Sequence, residues 1–207
     1  MSESASRGRP PASSRDILQD AAFDLFLERS YAQTSVADIT QRAGVSRATF
    51  FNYFSSKSDV FWVDLDEALD EFRQQIAGAL DVAATREPAE GMTAIVSALD
   101  SLADRLGATA VPFALTQSDL VGSVDELQAS ALARFSKLAR EMAATLTGFG
   151  VSAAQARTAS YAILAAGISA AQEWADAGPH RGPLAGYLRS AVEPIALAFT
   201  GLVPTPR

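Results

Sequence analysis

The chain has 207 residues, 48% of them hydrophobic and 20% charged, which is the composition of an ordinary globular protein. Because cysteine is absent, disulfides, thiolate metal sites and cysteine nucleophiles are excluded, and the composition fits the reducing cytoplasm. The uncharged run at residues 158–172 is shorter than the about 20 residues that cross a bilayer, and the N-terminus lacks the apolar core of a signal peptide. We therefore expect a cytoplasmic protein with no membrane partner.

Helical periodicity runs along nearly the whole chain, and no segment shows the sustained alternation of a strand. Sequences of the form Ser-x-x-Asp, Ser-x-x-Glu or Ser-x-x-Gln stand at the heads of periodic segments and begin at Ser13, Ser35, Ser56, Ser123 and Ser152. Each serine can accept hydrogen bonds from the free backbone N–H groups of a first helical turn. The pattern predicts an all-α fold of about nine helices, over residues 14–29, 36–43, 47–53, 57–83, 88–106, 110–118, 124–147, 153–177 and 184–201.

The predicted helices fall into two groups, preceded by an N-terminal arm. Residues 1–12 are rich in Ser, Pro and Gly, which predicts a flexible segment. The first three helices are short and the later ones are long and rich in Ala, so the boundary between domains is placed early in the fourth helix. The predicted domains are residues 13–60 and residues 61–207.

Residues 36–53 have the pattern of a helix-turn-helix, with a tight turn at Gly44 between two short helices. A glycine suits that turn because a positive φ penalises any residue with a Cβ atom. Apolar residues of this segment are spaced to pack against Leu25 and Phe26 of the first helix. The remaining positions of the second short helix then form an exposed face suited to a major groove: Arg47, Ala48, Thr49, Phe51, Asn52 and Tyr53.

Charge placement favours the same face. Although the chain carries a net charge of -7, the charged residues between positions 39 and 58 are all basic: Arg42, Arg47 and Lys57. An acid-free surface would approach a polyanion without repulsion, and we expect the acids of the first helix, such as Glu28, to remain in solvent on its far side.

The stretch TSVADITQRAGVSRATFFNYFSSKSDVF, residues 34–61, resembles the N-terminal DNA-binding domain of the TetR family of bacterial transcriptional regulators. The resemblance covers roughly residues 13–62. Two positions depart from the family pattern: Phe51 stands where Tyr is most frequent, and Ser30 stands where a Gly usually closes the first helix. The first departure removes a hydroxyl from the expected DNA contacts, and the second affects only the local turn.

The resemblance also implies roles for individual residues. Those that would read or line the bases are Arg47, Ala48, Thr49 and Phe51. Those that would hold phosphates are Ser35, Tyr53 and Lys57. In the arm, Arg7 and Arg9 would enter the minor groove.

Beyond residue 62 the sequence carries no motif, and the resemblance implies a helical domain that dimerises. Small and apolar residues on the last two helices form the predicted dimer interface: Ala162, Ala166, Ser169, Ala170, Leu188, Ala191, Val192 and Ile195. The alternative is that these small residues pack inside one subunit.

The same domain is expected to hold a small-molecule pocket. The candidate ligand-binding residues are Leu99, Leu102, Phe113, Phe135, Met142, Tyr161 and Trp174, with plain core packing as the alternative for each. Because few charges fall on these helix faces, an uncharged and largely apolar effector is expected.

An enzyme is not expected. His180 is the only histidine and lies in a Gly-Pro-His-Arg-Gly turn, so neither a histidine metal site nor a catalytic triad can be assembled, and no cofactor is implied. The sequence predicts a ligand-responsive transcriptional regulator, a repressor that binds a palindromic operator as a homodimer. The alternative is a helical protein-interaction scaffold that has lost DNA binding, against which the basic and aromatic face at residues 47–53 counts.

Overall fold

The computed structural model describes residues 13–83, 85–108, 120 and 124–199, and their regular structure is helical, which confirms the all-α prediction. Each helix begins within one residue of its predicted start. The predicted helix at 110–118 and the arm with Arg7 and Arg9 lie outside the described residues. The helices are α1 (Ser14–Arg29), α2 (Val36–Ala43), α3 (Arg47–Tyr53), α4 (Lys57–Val82), α5 (Pro88–Ala108), α6 (Asp125–Gly148), α7 (Ala153–Asp176) and α8 (Leu184–Phe199), with a 3-10 turn at Gly178–His180 before α8.

Serine caps explain where several helices begin. Ser13 and Ser35 form complete capping boxes with Asp16 and Asp38, so each serine hydroxyl and each carboxylate accepts from a backbone N–H. Ser152 starts α7 in a related way, through a bond from the backbone N–H of Gln155. Ser123, the capping residue predicted for α6, lies outside the described residues; Val124 occupies the N-cap and makes no side-chain bond.

The chain divides into two compact units between Phe61 and Trp62. In the first unit, α1, α2 and α3 pack on one another. Buried side chains hold these three helices together, among them Leu18, Leu25, Phe26, Ile39, Phe50 and Phe54. The short α2 and α3 are therefore fixed by burial against α1, since helices of this length are marginal in isolation.

The second unit is built from long helices. The α7 helix packs against both α6 and α8, and α8 also packs against α5. Side chains from all parts of the unit are buried between them, including Phe72, Ile95, Leu127, Leu146 and Ile163. Among the described helices, none combines the length and the apolar character needed to cross a bilayer.

Candidate nucleic-acid interface and ligand cavity

The turn between α2 and α3 sets the direction of the second short helix. Gly44 adopts φ 68° and ψ 27°, the left-handed conformation that a glycine accommodates at little cost. The chain then re-enters a helix at Ser46, whose hydroxyl accepts from the N–H of Thr49 at 3.0 Å. Phe50 is fully buried and lies 5.2 Å from the ring of Phe54, so one face of α3 is anchored in the core.

The opposite face of α3 lies in solvent. Arg47, Ala48 and Asn52 are exposed, and the rings of Phe51 and Tyr53 are 50% and 48% exposed. Thr49 differs from the other predicted residues because it is half-buried and engaged with the hydroxyl of Ser46 at 2.9 Å. A guanidinium, an amide and two aromatic rings on one exposed helix face can donate to base edges, accept from them and contact thymine methyl groups.

Glu28, an acidic residue of α1, lies next to Arg42, within the segment whose own charged residues are all basic. Arg42 donates to both carboxylate oxygens of Glu28, at 2.9 and 2.6 Å. This bond lowers the pKa of Glu28 below its ordinary value and raises that of Arg42. Glu28 remains exposed to solvent, as expected, but it does not lie on the far side of α1, because it pairs with Arg42 where the ends of α1 and α2 lie side by side.

Two of the predicted phosphate contacts already have protein partners. The hydroxyl of Ser35 accepts from the N–H of Asp38 at 3.2 Å and donates to its carboxylate at 2.6 Å. The ammonium of Lys57 donates to the carbonyls of Tyr31 and Thr34 at 2.8 and 2.9 Å. Within residues 39–58, Arg47 is then the basic residue that has no ion pair or side-chain hydrogen bond with another described residue.

The second unit contains a cavity of about 240 Å³, and four of the predicted ligand-binding residues line it: Leu99, Leu102, Phe135 and Met142. Tyr161 is 45% exposed and does not line the cavity. Trp174 is buried but also lies outside the lining, since its indole N–H donates to the carbonyl of Gly182 at 2.8 Å. Phe113 falls outside the described residues.

The candidate list from the sequence lacks several lining residues, above all Trp62. Trp62, Leu65 and Leu69 lie at i, i+3 and i+7 on α4 and form one wall of the cavity. The guanidinium of Arg134 lies over the Trp62 ring, 5.4 Å from its centroid, and donates to both carboxylate oxygens of Asp66 at 2.9 Å each. This arrangement fixes the position of the indole.

The described lining contains no charged side chain, and Gln172 is its one side-chain amide. An ionised ligand group would therefore lose its hydration without finding a compensating partner among these residues. The geometry favours an uncharged, mainly apolar guest with at most a few polar atoms.

The predicted dimer interface divides according to burial. Ala170, Leu188 and Val192 are buried within their own chain, and Leu188 lines the cavity. Ser169 is exposed, whereas the other predicted residues are half-buried: Ala162, Ala166, Ala191 and Ile195. The exposed positions near them include Tyr161 and Leu197, which is 64% exposed, and also the charged residues Arg157 and Glu193.

Within the described part of the chain, no three His, Asp or Glu side chains lie close enough together to hold a metal ion. His180 is exposed at the end of the 3-10 turn.

Residues 18–61 match the family model described as "Bacterial regulatory proteins, tetR family". The HTH-type transcriptional repressor ComR of Escherichia coli K12 is 37% identical over 67 residues, or 32% of each chain. The chain thus spans about a third of the length of this curated relative.

Solved structures extend the similarity of fold to nearly the whole chain. The Thermus thermophilus repressor FadR, solved with lauroyl-CoA, gives a TM-score of 0.53 at 22% identity and covers 93% of this chain and 99% of its own. The SmeT–triclosan complex gives a TM-score of 0.64 at 18% identity, with 95% and 99% coverage. SmeT is the repressor of a multidrug efflux pump of Stenotrophomonas maltophilia. At these identities the similarity shows a common fold.

Proposed function

The chain belongs to the TetR family of bacterial regulatory proteins through its N-terminal domain, and from this premise we propose that it is a ligand-responsive transcriptional repressor. In this proposal residues 13–60 bind DNA, and the remainder dimerises and binds a small effector. The observation that carries the proposal is the exposed face of α3, where Arg47, Asn52 and two aromatic rings stand in solvent while Phe50 anchors the helix.

DNA binding follows from the shape and chemistry of that face. A helix fits the major groove of B-form DNA, where Arg can donate to guanine O6 and N7 and Asn can bond adenine. A homodimer would place two such helices on successive major grooves, about 34 Å apart, which implies a palindromic operator. For the dimer we propose the solvent-facing sides of α7 and α8, where Tyr161, Ser169 and Leu197 are exposed.

The effector is proposed to occupy the cavity of the second unit. An engineered cavity of about 150 Å³ takes up benzene, so the 240 Å³ here would hold roughly ten non-hydrogen atoms. The apolar, uncharged lining supports a neutral aromatic or aliphatic molecule, and the neighbouring SmeT fold has been solved with triclosan.

Repression and release would follow from a two-state equilibrium. The α4 helix supplies Trp62, Leu65 and Leu69 to the cavity wall, so a bound effector acts directly on this helix. Only an effector with different affinities for the DNA-competent and the released state can shift their populations. We propose that the released state binds the effector more tightly and changes the spacing of the two α3 helices.

Selection of bound sequences from random duplex DNA, at a stated salt concentration, tests this function. We expect an enriched palindrome with half-sites about one helical turn apart. Recovery of unenriched DNA would contradict the proposal and favour a scaffold that has lost specific binding.

Arg47→Ala identifies the reading face once the operator is known. It should weaken operator binding by about 1–3 kcal/mol and reduce the preference for operator over random duplex. The matched control is Arg140→Ala, which removes the same charge from an exposed position on α6 and should leave the preference unchanged. An unaltered preference in Arg47→Ala would refute its assignment as a base-reading residue.

A further inference from the structure

The side chain of Lys57 is held by protein groups at the start of α4. Its Nζ donates to the carbonyl of Tyr31 at 2.8 Å and to the carbonyl of Thr34 at 2.9 Å. The same ammonium lies 3.9 Å from the centroid of the Tyr31 ring, within the range of a cation–π interaction. Lys57 is half-buried, and both of its hydrogen bonds are partly shielded from water. Two charge-assisted hydrogen bonds and an aromatic face thus fix a cation that would otherwise be free to rotate.

The carbonyls that Lys57 binds belong to the loop between α1 and α2. This loop is ordered by Thr34, a buried residue whose hydroxyl donates to the carbonyls of Ser30 and Leu25 at 2.9 and 3.3 Å. It leads directly into Ser35, which caps α2. Lys57 therefore connects the first turn of α4 to the segment that determines where α2 begins, and α2 in turn packs against α3.

We infer that Lys57 is a positioning residue of the DNA-binding unit and does not bind a DNA phosphate. To turn toward a phosphate, its ammonium would have to leave two carbonyls and the Tyr31 ring, and those partly buried carbonyls would lose their bonds to a charged donor. The role assigned to Lys57 by the family resemblance is thereby replaced with a structural one. Only the DNA measurement described below rests on the proposed function.

Amide hydrogen exchange on the full-length protein tests the contact without DNA. Lys57→Met keeps most of the apolar stem and removes the ammonium, so amides in residues 30–36 should exchange at least about tenfold faster. Lys57→Arg should show the same effect, because a planar guanidinium does not replace a compact ammonium between two carbonyls. The matched control is Lys137→Met, which makes the same change at the chain's other lysine, a largely exposed residue of α6, and should leave this loop unaffected.

The salt dependence of binding to a random-sequence duplex provides the second readout. A lysine that neutralises a phosphate contributes about 0.9 to the slope of log K against log salt concentration. We expect Lys57→Met to weaken binding while leaving the slope equal to that of the parent protein. Lys57→Arg should bind as weakly as Lys57→Met.

Two results would overturn the inference. One is a slope reduced by about 0.9 per protomer in Lys57→Met and restored in Lys57→Arg. The other is unchanged amide exchange in residues 30–36 of both variants. If the parent protein binds no DNA, the proposed function fails, and amide exchange alone decides the role of Lys57.

Discussion

Ser30 carries backbone strain at the end of α1. Its φ of 75° and ψ of 158° lie in a region that is occupied almost exclusively by glycine. Nevertheless its N–H bonds the carbonyl of Phe26 at 3.0 Å and its carbonyl accepts from the hydroxyl of Thr34 at 2.9 Å, so the surrounding bonds hold the residue in place. Serine therefore tolerates a conformation for which glycine is better suited.

Ser30→Gly is expected to raise the free energy of unfolding of the N-terminal unit by about 1 kcal/mol. Glycine loses more backbone entropy on folding than serine does, but the relief of strain at this position is the larger effect. Urea denaturation of the full-length protein, followed through amide exchange of α1 and α2, measures the change. The matched control is Ser97→Gly, at an exposed position inside α5, which should destabilise its own unit by a few tenths of a kcal/mol. Destabilisation by Ser30→Gly would show that the serine side chain outweighs the strain.

At the scale of elements, the bidentate pair of Glu28 and Arg42 joins the ends of α1 and α2. The hydrogen bond from Arg42 lowers the pKa of Glu28 below 4.5, its ordinary value. A carboxyl whose pKa is depressed by folding contributes stability that is fully present above its unfolded pKa and is lost as the pH falls through its folded pKa. The pair should therefore stabilise the junction at neutral pH and cease to do so in acid.

Glu28→Gln is expected to lower the free energy of unfolding at pH 7. The difference in this free energy between the variant and the parent protein should shrink as the pH falls below about 4.5. Denaturation curves between pH 7 and pH 3 measure this difference. A double-mutant cycle with Arg42→Gln measures the coupling free energy between Glu28 and Arg42. This coupling should be favourable at pH 7 and should be lost in acid. A difference that stays constant over this range would mean that the ion pair contributes nothing to stability.

Close packing at the start of α5 gives a second prediction for elements. A Cβ atom on Gly91 would lie 2.8 to 2.9 Å from three atoms of Phe149, a side chain that is only 1% exposed. Gly91→Ala should therefore destabilise the second unit by about 1–3 kcal/mol. Gly78→Ala is the control: Gly78 lies within α4 with no atom within 4 Å of the added methyl, so the change should stabilise by up to about 1 kcal/mol. Thermal unfolding compares the two variants, and equal effects would show that Phe149 moves aside freely.

The elements differ in how far the sequence determines them. Helix starts at Ser13, Ser35 and Ser152 could be predicted because a cap depends on residues three positions apart. The partners of Arg42 and Lys57 lie 14 to 26 residues away, so no local pattern reveals them. The exposed face of α3 was predictable from the spacing of its own residues, whereas the partners of the neighbouring cations Arg42 and Lys57 were not.

At the scale of the whole molecule, the ligand cavity depends on packing that no single helix encodes. Residues from α4, α5, α6, α7 and α8 line it, and it exists because their side chains together leave the space unfilled. Periodicity identified Leu99, Leu102, Phe135 and Met142 as inward-facing. It could not distinguish Trp62, which lines the cavity, from Trp174, which lies outside the lining and donates a hydrogen bond to the carbonyl of Gly182. These two tryptophans are the only ones in the chain, which makes the cavity accessible to fluorescence.

Trp174→Phe leaves Trp62 as the sole tryptophan, and its emission should be quenched in a saturable manner by 1-bromo-4-butylbenzene, because bromine quenches an indole that it contacts. The matching carboxylate, 4-(4-bromophenyl)butanoate, should bind at least about tenfold more weakly, since the described lining offers no partner for its charge. Ala171→Phe in the same background fills part of the cavity and should reduce quenching. In Trp62→Phe, which retains Trp174, the neutral probe should have little effect. Equal quenching of Trp62 and Trp174 would place the probe outside the cavity, and equal affinity for the carboxylate would refute a neutral effector.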